Sequence, residues 1–199
     1  MAKRVLLAGI LGGILLFLWG GLWHDQLPTA FAGLRSLPAE QAVVSVLKAN
    51  VTEPGMYLFP GFGVPDDAPF AQKKAAMLNL EKNPPGGPQG VLIYDPVGKA
   101  FSPKMLATEA TTNIVQALLV AFLLAQVTLR RFSSRLGFAF VLGLLASITT
   151  NISLWNFYGF PASWIVSQIS FLIIGYLLVG IVVAAIVKKG TPKAAAAGA

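Results

Sequence analysis

The sequence predicts an integral membrane protein that is mainly α-helical, with four transmembrane helices and a small α+β extracytoplasmic domain inserted between helices one and two. Hydrophobic residues make up 55% of the 199 residues and charged residues only 12%, about half of the charged share usual in a soluble domain. Four apolar runs each approach the ~20 residues that a helix needs to cross the hydrocarbon core. They cover residues 5–23, 110–129, 136–155 and 164–187.

The first run, within residues 1–23, predicts a signal-anchor helix. Lys3 and Arg4 provide its basic start. A cleavable signal peptide is the alternative, but the apolar stretch is about 19 residues long against a usual ~7–15. Residues 20–25 contain no small-x-small cleavage site. We therefore expect helix one to stay in the mature protein, although the sequence leaves its cleavage open.

The distribution of charge predicts the orientation of the chain. Eight of the 15 Lys and Arg residues lie near the chain ends or between runs two and three, with no acidic residue among them. The other seven, together with all eight acidic residues, lie within residues 24–109. Cytoplasmic segments are enriched in Lys and Arg. The +8 against −1 distribution therefore predicts cytoplasmic termini and an extracytoplasmic segment over 24–109. The eight basic residues are Lys3, Arg4, Arg130, Arg131, Arg135, Lys188, Lys189 and Lys193, with the three arginines expected in the turn between helices two and three.

The extracytoplasmic segment is long enough to fold as an α+β domain. Gly and Pro bound its apolar stretches, as is typical of short strands and turns. The predicted elements are a helix over 37–49 capped by Ser36, a strand over 55–61, a helix over 70–81 and a strand over 90–95. We expect the strand residues Tyr57, Phe59, Val91 and Ile93 to share one core.

The remainder of the chain is predicted to form a three-helix transmembrane bundle over residues 110–187. A cytoplasmic mobile tail, rich in alanine, is expected over 188–199. Small residues recur four apart in helices one and two, which suits close helix packing. The pairs are Gly9 with Gly13, Ala8 with Gly12, and Ala121 with Ala125. Spacing alone does not identify the helix that packs against them.

Few residues suggest chemistry. The chain has no cysteine, which excludes disulfides, thiolate metal sites and a cysteine nucleophile. The single histidine, His24, precedes Asp25. They form either a proton-handling or metal-binding pair, or the polar edge of an interfacial aromatic belt that holds Trp23 at the headgroup level. We favour the belt, because one His without a second His or Cys makes a weak transition-metal site.

Polar residues concentrate toward the predicted outer ends of the last three helices. One interpretation is interhelical hydrogen bonding, and the other is a polar cavity open to the outside. We expect Asn113, Gln116 and Gln168 to point inward and to hydrogen-bond one another or nearby backbone. The full candidate polar cluster is Asn113, Gln116, Thr150, Asn151, Ser163, Ser167 and Gln168.

Short motifs resemble a family of bacterial inner-membrane proteins without an assigned activity. They are Trp23-His24 after the first helix, Gly55-x-Tyr57-x-x-Pro60-Gly61, and Gly87-Pro88-x-Gly90. The resemblance spans most of the chain and implies a location in a bacterial inner membrane. It implies no activity and no site residues.

The sequence favours a non-enzymatic role, and we expect no catalytic, cofactor-binding or metal-binding residues. The expected role is an accessory or structural subunit whose extracytoplasmic domain contacts a partner, with His24, Asp25 and Tyr57 as candidate interface residues. The alternative is a small-molecule or lipid-binding protein that uses the polar outer-leaflet cavity. Expected partners are membrane lipid and a membrane protein or a second copy of the chain, but not nucleic acid, because the basic charge follows topology.

Overall fold

The computed structural model describes residues 1–187; the predicted mobile tail over 188–199 lies outside them. As predicted, the described chain is mainly helical and contains four helices long and apolar enough to cross a membrane. These are α1, α4, α5 and α6. The elements in order are α1 (Ala2–Gln26), a short 3-10 helix (Pro28–Phe31), α2 (Glu40–Asn50), β1 (Gly55–Phe59), α3 (Phe70–Lys82), β2 (Gly90–Tyr94), α4 (Pro103–Gln126), α5 (Phe132–Tyr158) and α6 (Ala162–Ile186).

Each long helix begins before the apolar run that predicted it, whereas α4 and α6 end inside their runs, at Gln126 and Ile186. Hydropathy marks the stretch that suits hydrocarbon, whereas a helix ends where its backbone meets a breaker or a cap. Thus α4 begins with Pro103 in its first turn, and α5 ends at Tyr158, before Gly159 with its left-handed φ of 71°. One prediction is wrong as a result. Arg135 lies inside α5 rather than in the turn before it.

The chain divides into two compact units. The first contains Met1–Leu34 and the described residues from Phe101 onward, so α1 belongs to the same unit as α4, α5 and α6. The second is Arg35–Ala100. It is shorter at both ends than the predicted segment over 24–109, because α1 runs to Gln26 and α4 already begins at Pro103.

Consecutive helices of the first unit run antiparallel. A Cβ added to Gly9 would meet Leu118, and one added to Gly13 would lie 2.8 Å from the backbone nitrogen of Ile114. The small residues of α1 therefore pack against α4 of the same chain, a partner that their spacing left open. Similar close approaches join α5 to α6, where Gly143 faces Tyr176.

The core of the first unit lies along the seam of α1, α4 and α6. Its buried side chains are Ala8, Leu16, Ala117, Val120, Ala121, Leu124, Ala139, Val179, Val183 and Val187. Large apolar residues on the other faces, such as Leu7, Leu18 and Val166, stay exposed. A helix with apolar residues all round and only part of its surface buried suits a lipid environment.

The second unit contains an antiparallel hairpin and two helices. Tyr57 pairs with Leu92, and Leu58 with Val91. Successive strand residues point to opposite faces, so Tyr57 lies on one face and Val91 and Ile93 on the other. The predicted common core is therefore wrong. Across residues 35–100, all within the described chain, no side chain is fully buried. Helix α2 begins at Glu40 after Ala39, so Ser36 does not cap it.

Candidate functional site

Two members of the predicted polar cluster, Ser163 and Ser167, contact the chain segment that follows α1. We call residues 27–34 the return segment, because it turns back beside the start of α6. The Ser167 hydroxyl donates a 2.6 Å hydrogen bond to the carbonyl of Thr29. Gly33, at a φ of 83°, lies so close that an added Cβ would be 2.9 Å from the Ser163 hydroxyl oxygen. These serines therefore face the protein's own backbone.

Thr150 and Asn151 form a second group, on α5. The Asn151 amide nitrogen donates to the Ser147 carbonyl at 3.0 Å and to the Thr150 hydroxyl oxygen at 2.8 Å. The Thr150 hydroxyl in turn donates to the Ala146 carbonyl at 2.8 Å. All of these partners belong to the same helix. Ser and Thr side chains commonly bond back to the carbonyl four residues earlier, so this group satisfies itself without joining two helices.

Asn113, Gln116 and Gln168 form no hydrogen bond with one another in the described part of the chain. Asn113 is only 5% exposed and belongs to the row with Ala117 and Val120 that faces the bundle interior. Gln116 and Gln168 are half-buried. The predicted hydrogen bonds, to one another or to nearby backbone, are therefore wrong, whereas the inward orientation of Asn113 agrees with its burial. Its side chain has no hydrogen-bond partner within residues 1–187.

An aromatic cluster that the sequence analysis missed joins α1 to α6. Trp19 stacks on Phe171 with ring centroids 6.3 Å apart, and its indole N–H donates to the Phe171 carbonyl at 3.1 Å. Trp23 packs 5.7 Å from the same ring. Trp23 is only 4% exposed, so its ring packs inside the bundle, and its predicted place at the headgroup level stays a prediction. The spacing of Trp19 and Trp23, four residues apart, is the sequence signal that indicates their shared face.

The three candidate interface residues lie in both units. His24 and Asp25 are exposed at the end of α1, and the His24 ring contacts Phe171 at 5.5 Å. Tyr57 belongs to the hairpin, where its hydroxyl donates to the Glu53 carbonyl at 2.7 Å. Among residues 1–187, no three His, Cys, Asp or Glu side chains gather where a metal ion could bind.

The hairpin presents an exposed apolar face. Met56, Leu58, Val91 and Ile93 share this face, because Met56 pairs with Ile93 and Leu58 with Val91. We call these four residues the apolar hairpin face. Ile93 is 76% exposed and Met56 67%. Such a contiguous exposed patch is typical of an interaction surface.

Arg135 is a buried charge that the sequence analysis placed elsewhere. It is 8% exposed, and its Nη1 donates to the carbonyl of Val187 at 3.3 Å, just after the end of α6. Its Nε is buried without a hydrogen-bond partner in the described chain. Side chains of arginine are seldom buried unless paired.

Comparisons of this chain with protein-family models, with curated proteins and with solved structures give no match. Two features of the described chain suggest an external partner: the apolar hairpin face, which is exposed, and Arg135, a buried charge with an unpaired Nε.

Proposed function

We propose that this chain is a non-enzymatic integral membrane subunit whose extracytoplasmic segment contacts a partner protein through the apolar hairpin face. The supporting observation is the exposure of Met56, Leu58 and Ile93 on one face of the β1–β2 pair. Burying such a side chain contributes about 1.5–3 kcal/mol. A surface of this kind gains free energy when a partner covers it.

The lack of a core in the second unit strengthens this argument. A two-stranded hairpin is marginally stable in water unless it packs against a further element. Each strand here has five residues, and no side chain between residues 35 and 100 of the described chain is fully buried. A partner that covers the hairpin face supplies the packing that the segment does not make for itself.

The charge distribution supports the orientation in this proposal. Residues 24–109 lie outside the cytoplasm and both termini lie inside, in the inner membrane of a bacterium. Within the described chain, α1, α4, α5 and α6 alternate in direction, so Lys3, Arg4, Arg130 and Arg131 belong to one end of the bundle. Lys and Arg are retained on the cytoplasmic side of most membrane proteins.

Co-purification of the full chain with charge variants tests the proposed interface. Ile93→Lys places a charge on the apolar hairpin face, whereas Val97→Lys places one on a residue that is 91% exposed and outside this face. We expect the wild-type chain and the Val97 variant to retain the same protein in mild detergent, and the Ile93 variant to lose it. If the purified complex contains only copies of this chain, the partner is a second copy of the chain rather than a different protein. Equal retention by both variants would contradict the proposal.

A second function, binding of a small polar molecule or a lipid within the bundle, is favoured by Asn113. The residue is only 5% exposed, and its side chain makes no hydrogen bond within residues 1–187. A polar ligand group that reached this amide would give it a hydrogen-bond partner. This alternative is tested with Asn113→Leu, as described in the Discussion.

A further inference from the structure

Arg135 lies at the end of the bundle that carries most of its positive charge. We call this end the basic end. It comprises the start of α1, the connection over residues 127–131, the start of α5 and the end of α6. The antiparallel packing of α1 with α4 and of α5 with α6 brings these four points to one end. In the part of the chain described, it carries five basic residues, Lys3, Arg4, Arg130, Arg131 and Arg135.

Among the described residues of the first unit, no Asp or Glu carboxylate neutralises Arg135. The acidic residues of this unit are Asp25 and Glu109. Asp25 is at the far end of α1, and Glu109 is in the second turn of α4, about 25 Å of helix away from Gln126 at 1.5 Å per residue. From residue 110 to residue 199 the sequence contains no Asp or Glu.

The contact with Val187 compensates only part of the charge. The carbonyl end of a helix carries roughly half a negative charge, and Nη1 of Arg135 donates to the last described carbonyl beside α6. A guanidinium has five N–H donors, and Nε is buried without a partner in the described chain. A buried charge that is incompletely paired is costly, so an external anion at this position would stabilise the protein.

The start of α5 adds donors of the kind that bind phosphate. Arg131 occupies its N-cap and makes no side-chain capping bond, so the first backbone N–H groups of the helix are uncapped. Ser133 and Ser134 follow, and both are exposed. Helix N-termini attract anions through their free N–H groups and dipole. Arg135 is one turn further along the same helix, where its Nη1 donates to the Val187 carbonyl, so α5 contributes both this buried charge and the uncapped N–H groups to the basic end.

We propose that the basic end, at Arg135 and the start of α5, binds the phosphate of an anionic phospholipid headgroup. A free phosphate shares this chemistry. We propose that a lipid supplies the phosphate, because apolar side chains of the adjoining helices are exposed. Examples are Phe132 of α5 and Leu7 of α1. A lipid anchors its acyl chains on such a surface while its phosphate reaches the basic end. The site is independent of the apolar hairpin face.

Native mass spectrometry of the full chain with equal amounts of phosphatidylglycerol and phosphatidylcholine tests the proposal. We expect wild-type protein to retain phosphatidylglycerol preferentially. Arg135→Gln should lower this preference by more than about fivefold, the factor that corresponds to ~1 kcal/mol for any basic residue near the membrane surface. Lys3→Gln removes one charge from the same end outside α5, and as the matched control it should lower the preference by no more than that factor. Equal effects of the two variants, or equal retention of both lipids by the wild type, would overturn the proposal.

Two further arms keep the test decisive. If Arg135→Gln does not fold, the variant that combines Arg131→Gln with Ser133→Ala alters only exposed residues and should lower the preference as well. An unchanged preference in that variant would count against the site. Inorganic phosphate in phosphatidylcholine nanodiscs distinguishes the source of the anion. If it raises the melting temperature as much as phosphatidylglycerol does, and lipid retention shows no preference, the site binds a free anion and the lipid proposal is wrong.

Discussion

The hydroxyl of Ser167 donates a 2.6 Å hydrogen bond to the carbonyl of Thr29, which ties α6 to the return segment immediately after α1. The bond joins residues 138 positions apart in the sequence. Its partner carbonyl lies in a single turn of 3-10 helix, Pro28–Phe31, in which Ala30 is buried. The Ser167 bond therefore holds the return segment, which follows α1, against α6.

Ser167→Ala should lower the free energy of unfolding by about 0.5–1.5 kcal/mol, because the hydrogen bond between α6 and the return segment is lost, although the Thr29 carbonyl still accepts from the Ala32 N–H. Ser170→Ala is the matched control, since the Ser170 hydroxyl donates to Val166 on its own helix. Unfolding in mixed micelles of a mild and a denaturing detergent measures both. An equal loss in the two variants would contradict the structural role of the Ser167 bond.

Gly13→Ala should destabilise the bundle by about 1–3 kcal/mol, the usual range for overpacking. The added Cβ would lie 2.8 Å from the backbone nitrogen of Ile114, which cannot move away without displacing α4. Gly20→Ala is the control on the same helix, because nothing lies within 4 Å of its added Cβ. Alanine favours a helix over glycine by up to ~1 kcal/mol, so the control should be neutral or slightly more stable. Thermal unfolding in detergent distinguishes the two signs.

Asn113→Leu should leave the free energy of unfolding unchanged or raise it by about 1–2 kcal/mol, because it removes a buried amide that lacks a partner. Gln116→Leu changes a half-buried side chain on the same helix and should have a smaller effect. A loss of more than about 2 kcal/mol in the Asn113 variant would indicate a bound molecule that pairs with the amide. That outcome would favour the ligand-binding alternative.

Single cysteines at Ala199 and at Lys82 should react with a membrane-impermeant reagent on opposite sides of the membrane. The chain has no cysteine of its own, so each variant carries one reactive thiol. The expectation follows from the positive-inside distribution. Labelling of both sites from the same side of intact cells would exclude the four-helix topology with cytoplasmic termini.

The number and approximate location of the spans could be predicted from the sequence, because a run of about 20 apolar residues suits little except hydrocarbon. Both strands of the hairpin were also located to within two residues, since Gly and Pro bound them. The ends of the long helices were not. They depend on breakers such as Pro103, Gly159 and Pro161 that lie outside the apolar runs.

The candidate polar cluster shows why side-chain surroundings were harder to predict. The sequence predicts that its residues share a membrane depth, from their positions along the apolar runs. In the structure Ser167 bonds to the return segment, Asn151 bonds within α5, and Asn113 has no partner among residues 1–187. The depth of a residue gives its position along the helix axis. The direction in which its side chain points around that axis decides which groups it contacts.

By itself the sequence determined that this protein has four apolar helices, a polar segment between the first two and a strongly basic set of helix ends. Only the tertiary structure decided which face each helix buries, and so placed Trp23 against Phe171 and Arg135 beneath the end of α6. The physical reason is that lipid tails are as apolar as leucine, so hydropathy does not distinguish a lipid-facing side chain from a packed one. The buried face of a helix is instead decided by how well its surface fits the neighbouring helix. Gly9 and Gly13 let α4 approach α1 closely, and such a fit depends on the folded partner rather than on composition.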